Sequence, residues 1–345
     1  MSELKAIDRL HRNPEKFDVI DLYDAIGREK GYRLGNHEDE AEFSALVTEA
    51  LSSAQSPIMV HGRRVEAMFS YITASLGKSL LIKKEDCGDV FSADLKLKIP
   101  DYRVVLNSGE QLLVEVKNCH HKKEFKLEKS YIESLDRYSK LMRVDLFVAV
   151  YWSKWQMWTL VAVDAFDVVG DNVRLNFETA MSKNQMACLG DIWVGTKVPL
   201  SIRIFTSEKC PVLEEGTVNF TIGDVQLFCC GTPISDEQEK QIAMTLMLYG
   251  GWAELERIQC TDESPATLEY IEFSYSPVQR SDEAQGFEIV GAVSTVISRQ
   301  YGKLTAPKGI VEHLSVDVNP EKLGFLIAEG HECKALPLWR FHFSL

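Results

Sequence analysis

Two short apolar runs, YRVVL (102–106) and QLLVEVK (111–117), flank the turn-forming segment NSGE (107–110). Aliphatic and β-branched residues on both sides of a glycine able to take positive φ specify a β-hairpin. This hairpin constrains the fold more than any other segment, because strand side chains alternate between faces. Leu112, Val114 and Val116 then share one face, and Leu113, Glu115 and Lys117 the other. An acid and an amine thus project together from an otherwise apolar strand. The turn also brings Asp101, which follows Pro100 at the start of the first strand, back beside the end of the second.

The elements around the hairpin follow from periodicity. Residues 62–77, GRRVEAMFSYITASLG, place Val65, Met68, Phe69, Ile72 and Leu76 on one helical stripe and stop at Gly77. Residues 125–142 read as a helix with Tyr131, Leu135, Tyr138 and Met142 on one face, followed by strands LFVAVYW (146–152) and MWTLVAV (157–163). The order helix, strand, hairpin, helix, strand, strand predicts an α/β unit whose sheet is covered by helices. Upstream, 19–31 and 38–54 read as helices, the second closed by Pro57. Downstream, NVRLNF, VPLSIRIF, VNFTI, VQLFC and ATLEYIEFSY alternate as strands. Residues 235–250 form a helix with Ser235 as N-cap, and GFEIVGAVSTVISRQYG a second helix. The expected organisation is an N-terminal helical segment (1–60) packed on a core (61–165), with a separate α+β accessory domain at 166–345.

Two acids and an amine at one sheet edge suit phosphodiester hydrolysis, which needs a divalent cation to neutralise phosphate and activate water. Mg²⁺ takes one or two carboxylates plus waters. Asp101 and Glu115 supply these, and the Val116 carbonyl adds a ligand. Lys117 then stabilises charge on the scissile phosphate or the attacking water. Glu66, at the rim of the apolar stripe of helix 62–77, offers a further acid. A lone strand-borne Glu-x-Lys is equally what a surface salt bridge produces, and Glu-x-Lys recurs at residues 3, 124 and 332. Only the copy at 115 lies on an apolar strand.

With Glu66, Pro100-Asp101 and Glu115-Val116-Lys117 in this order, residues 62–163 resemble the PD-(D/E)XK nuclease superfamily, in the style of archaeal Holliday-junction resolvases and RecB-like nucleases. The resemblance implies a restriction-endonuclease-like mixed sheet core, Mg²⁺ dependence with Mn²⁺ as substitute, and DNA cleavage. Matched by position, Asp101 and Glu115 are metal ligands, Lys117 the catalytic lysine and Glu66 the helix acid. A nuclease-fold binding or assembly subunit, or an RNase on the same fold, remains the alternative. One such site cuts one strand, so a homodimer or a partner held by the C-terminal half is expected.

The net charge of −13 argues against a protein that coats nucleic acid non-specifically, yet residues 117–143 hold eight Lys/Arg against four Asp/Glu. Within that stretch Lys122, Lys123, Lys126 and Lys129 read either as a solvated helix face or as phosphate contacts. His120 and His121 read as exposed loop residues, with metal or phosphate binding as the other possibility. Trp155 reads as edge packing or as a platform for a base. No stretch is long and apolar enough to span a membrane and the N-terminus is polar, so a cytoplasmic protein is expected. The eight cysteines show no C-x-x-C pair and read as reduced thiols. No phosphate-binding glycine loop or serine-hydrolase elbow is present, which leaves phosphodiester chemistry as the one activity with a motif behind it.

Overall fold

Three helices precede the first strand among the described residues: α1 (Val19–Lys30), α2 (His37–Ala54) and α3 (Pro57–Ser75). Gly31 ends α1 at φ 78°, a conformation that costs glycine little. α1 and α2 hold to each other through Tyr23, whose ring meets Phe43 edge-on at 5.0 Å and Tyr32 at 5.7 Å. Pro57 opens α3 at its first position, so the helix begins earlier than its apolar stripe predicts. Proline fits there because the first helical turn has no use for its missing N–H. This computed structural model describes residues 7, 19–54, 57–87, 91–94, 96–211, 219–263, 266–278, 285–315 and 332–341.

The hairpin forms between β2 (Tyr102–Leu106) and β3 (Gln111–Cys119), with Tyr102 opposite Val114 and Gly109 at φ 87°. β1 (Ser79–Lys84) adds to β2 on the outer side. Beyond β3 the chain crosses through α4 (Lys129–Met142) to β5 (Asp145–Trp152), then returns as β6 (Met157–Ala162). The five-stranded sheet has the order β1-β2-β3-β5-β6, with β3 and β5 parallel and the other neighbours antiparallel.

Helices cover both faces of this sheet. Val65, Met68, Phe69, Ile72 and Leu76 of α3 join Leu112, Val114 and Val116 in one apolar cluster. Ile132 and Leu135 of α4 join Leu113, Val148 and Val150 in the other. The alternation predicted for β3 is therefore the observed one. α4 itself departs from expectation: its buried line is Ile132, Leu135 and Ser139, and Met142 is 38% exposed.

The basic stretch is not helical at its start. Residues 124–128 form β4 (Glu124–Glu128), which pairs with β8 (Asn172–Asn176), itself joined to β7 (Asp167–Val169). Lys122 and Lys123 sit in the preceding turn and Lys126 on β4, and only Lys129 belongs to the helix. Val173 and Leu175, with Ala180 of α5 (Phe177–Ser182), complete the cluster on the α4 side.

The C-terminal half builds a second five-stranded sheet, antiparallel throughout, from β10 (Leu200–Pro211), β11 (Ile222–Cys229), β12 (Thr232–Ile234), β13 (Trp252–Glu263) and β14 (Ala266–Pro277), in the order β12-β11-β10-β14-β13. β13 was not marked by the sequence pattern. Of the expected strand VNFTI, residue 218 lies outside the described residues, 219–221 are irregular and Ile222 begins β11. α6 (Glu237–Tyr249) is capped by the Asp236 carboxylate, which accepts from the Gln238 and Glu239 N–H groups, and not by Ser235. The expected last helix divides into β15 (Glu288–Ala292) and α7 (Val293–Thr305). β15 joins β9 (Trp193–Thr196) and β16 (Leu338–Phe341) in a small sheet.

Buried Asp191 fixes the start of α7 by accepting from Ser294 N–H at 2.9 Å and Ser294 Oγ at 2.5 Å. α7 then packs on the α3 side of the first sheet, where Val296, Ile297 and Tyr301 share a cluster with Phe69 and Trp158. The fold is α/β, a mixed sheet flanked by helices, joined to an α+β second half. No described helix is long and apolar enough to cross a membrane.

Candidate active site

The hairpin places Asp101 where its sequence position requires. Its Oδ2 accepts a 2.7 Å hydrogen bond from the Val116 N–H, beyond the last paired residues of β2 and β3. Glu115 and Lys117 leave β3 on the α4 side. Glu115 is 2% exposed, and its Oε1 accepts from both the Lys117 ammonium and the Tyr131 hydroxyl, the latter at 2.5 Å. Lys117 Nζ also lies 3.4 Å from Tyr131 Oη. The two acids are therefore oriented from opposite sides, one by backbone and one by a lysine–tyrosine pair.

Charge at this site does not balance. Burial and the neighbouring Glu115 carboxylate push the Asp101 carboxyl up to about 7, against the smaller opposing pull of the Val116 N–H and Lys117. Burial alone disfavours the Lys117 ammonium, but Glu115, Tyr131 and Asp101 outweigh it and hold it above its ordinary value. Lys117 is thus a fixed cation at neutral pH. Burial, then Glu115, raises the Tyr131 hydroxyl to about 12, so it remains a donor. Asp101 Oδ1 and Glu115 Oε2 carry no hydrogen bond among the described residues, and neither is a sealed, unpartnered atom.

Glu66 comes near but does not close the set. Its carbonyl accepts from Tyr102 Oη at 3.2 Å, and its charge contributes to raising Asp101. Among the described residues no three His, Cys, Asp or Glu side chains converge on one metal position. The donor set for a cation is consequently two carboxylates, with Glu66 at the margin. Two hard oxygens plus water is what Mg²⁺ accepts.

The other sequence candidates lie apart. Lys122, Lys123, Lys126, Lys129, His120 and His121 are exposed, and the two histidine rings contact each other at 4.2 Å. Lys129 pairs with Glu133 at 3.8 Å. Trp155 already stacks on Phe177 at 4.1 Å, while Trp152 and Trp158 are core residues. Asp94 accepts from the Lys96 N–H and pairs with Arg137. Tyr131 was read only as a position on a helix face. No sequence signal marked its contact with Glu115, since α4 starts only two residues earlier, at Lys129. Lys98, whose Nζ lies 4.4 Å from the centre of the Tyr131 ring, was missed altogether.

No known family matches the chain, and no curated protein does either. Among solved structures, the chain is similar to the Holliday junction resolvase of Archaeoglobus fulgidus, at 17% identity and a TM-score of 0.24, over 29% of this chain and 80% of that one. A likeness at that score establishes neither fold nor activity.

Proposed function

We propose that this chain is a divalent-metal-dependent nuclease that hydrolyses DNA phosphodiester bonds. The observation that carries this reading is the convergence of buried Glu115 with half-buried Asp101 and Lys117, which sets two carboxylates against one ammonium. A structural ion pair needs no second acid, and an acid raised by its neighbour is destabilising unless a cation shares the site. Asp101 Oδ1, Glu115 Oε2 and the Val116 carbonyl would hold the metal, with Glu66 beside them. Bound Mg²⁺, or Mn²⁺ in its place, would neutralise phosphate charge and lower the pKa of water.

The chain's own groups do the rest. Lys117 stays charged at neutral pH and so acts as an electrostatic partner of the phosphate, not as a proton acceptor. Tyr131 keeps Glu115 in one rotamer through a charge-assisted hydrogen bond. Val116 N–H fixes one Asp101 oxygen and leaves the other without a hydrogen bond among the described residues. The C-terminal half selects the DNA target or a partner, and a homodimer brings two such sites to a duplex.

The test is cleavage of supercoiled, linear, single-stranded and branched DNA, and of RNA, in Mg²⁺ and in excess chelator. Metal-dependent DNA cleavage is expected. Full activity in chelator, or cleavage of RNA alone, would contradict the reading.

A further inference from the structure

Two ammonium groups, not one, stand against the ring of Tyr131. Lys117 Nζ is 5.2 Å from the ring centre, and Lys98 Nζ is 4.4 Å from it. The two lysines differ in what else they touch. Lys117 is half-buried on β3 and donates to Glu115 Oε1. Lys98 is exposed, and among the described residues no carboxylate lies within ion-pair distance of it. Tyr131 Oη donates to Glu115 Oε1 at 2.5 Å, so a cation over its ring stands beside the proposed catalytic carboxylate, on the same face of the sheet.

Backbone contacts set the place of Lys98. Its N–H donates to the Ser134 carbonyl of α4 at 3.1 Å, about one turn beyond Tyr131. Upstream, Leu97 N–H donates to the Asp94 carbonyl at 3.3 Å, and the Asp94 carboxylate pairs with Arg137, also on α4, at 3.4 Å. Downstream, buried Pro100 leads into Asp101. The Asp101 carbonyl accepts from Glu85 N–H at 2.8 Å and its carboxylate from Val116 N–H at 2.7 Å. Lys98 therefore rides on a segment tied to α4 at one end and to the sheet at the other. The same short segment carries Asp101, so the exposed ammonium is fixed relative to the acid.

We propose that Lys98 binds the backbone phosphate next to the scissile one and so positions the nucleic-acid strand across the site. The inference rests on the nuclease reading and specifies where the substrate runs: along the rim between α4 and the segment leading to Asp101. Of the two ammonium groups at the ring, Lys117 already has an acid of its own, and Lys98 has none. A cation over an exposed aromatic face gains less than one that hydrogen-bonds a phosphate oxygen, so the ring holds Lys98 ready without competing for it. Its greater exposure puts it outside Lys117, where the strand passes on from the reacting phosphate. A lysine suits a contact of this kind, because a backbone phosphate met as a point charge carries no sequence information.

The experiment measures binding of a fluorescent DNA duplex to the full chain in chelator, across a salt series, and single-turnover cleavage of the same duplex in Mg²⁺ over a range of protein concentrations. The proteins are wild type, Lys98→Gln, Lys98→Arg and, as a control for net charge, Lys183→Gln, an exposed lysine that follows α5. Circular dichroism and thermal melting establish that each is folded. Lys98→Gln should bind about fivefold more weakly, with a log–log salt slope lower by about one. In cleavage the loss should appear in the half-saturating protein concentration and not in the saturated rate. Lys98→Arg should keep affinity and slope, and Lys183→Gln should match wild type. Lys98→Gln with wild-type affinity and slope, or an equal loss in Lys183→Gln, overturns the phosphate contact and leaves the nuclease reading intact. A fall in the saturated rate with binding unchanged also overturns it, because Lys98 would then act on the reacting phosphate. A wild-type protein that neither binds nor cuts DNA overturns both readings.

Discussion

Two strand-borne ion pairs, one in each five-stranded sheet, show how similar groups serve different ends. In the second sheet Arg203 on β10 and Glu272 on β14 meet at 2.6 Å, with the guanidinium 4.1 Å from the centre of the Phe228 ring. One cation answers one anion and an aromatic ring covers the pair. In the first sheet Glu115 and Lys117 pair in the same way, but Asp101 adds a second anion with no second cation. The first arrangement is complete as it stands. The second has two acids to one ammonium, and on the proposed reading a bound divalent cation completes it. The proposed site rests on that imbalance and not on the ion pair.

The largest expected effect separates the two pairs by activity. Glu115→Gln or Lys117→Ala should lower single-turnover DNA cleavage by at least about a thousandfold, the scale of lost transition-state electrostatics. Glu272→Gln should leave cleavage within twofold of wild type (about 2, well inside the spread of surface effects) and cost only about 1 kcal/mol in denaturant unfolding. Equal loss in both variants would erase the distinction.

Stability against pH sharpens it. Asp101 titrates higher in the folded protein than its ordinary 3.8, at about 7. A raised carboxyl contributes stability below its unfolded value, and that contribution is lost as pH rises through the folded one. Metal-free wild type should therefore weaken between pH 4 and 7 relative to Asp101→Asn, which should be the more stable by about 1–3 kcal/mol at pH 8. Parallel stability curves for the two proteins would show that Asp101 is not under strain.

Tyr131→Phe removes a hydroxyl from Glu115 without removing volume. Cleavage should fall about tenfold, the value of one hydrogen bond to a charged group. Arg203 has no such dependent partner at an active group. The smallest effect concerns the basic segment: replacing Lys122, Lys123 and Lys126 together should lower the salt slope of DNA binding by up to about three. An unchanged slope would make that surface merely solvated.

The site was legible because its parts are local. A hairpin of known register puts Asp101 beside Val116, and strand alternation puts Glu115 with Lys117; both follow from adjacent residues. β4 was misread as the start of α4 because its partner β8 is remote in sequence and Leu127 lies four residues before Tyr131, in line with the helical stripe, although Phe125 and Leu127 alternate as a strand does. The boundary between β15 and α7 was lost because an apolar run of valine and alanine serves either state. The packing of α7 on the α3 side of the first sheet joins segments far apart in the chain, which no local pattern encodes. Nor did periodicity suggest that Tyr131 would lie against a buried glutamate.

The central claim is that the excess acid at Asp101 exists for a divalent cation that enables cleavage. The most direct measurement compares wild type, Asp101→Asn and Glu272→Gln on the same plasmid and branched DNA, in Mg²⁺ and in chelator. Wild type and Glu272→Gln should cut in Mg²⁺ and fall silent in chelator, and Asp101→Asn should be silent in both. Cleavage by Asp101→Asn at the wild-type rate, or by wild type in chelator, would contradict the account.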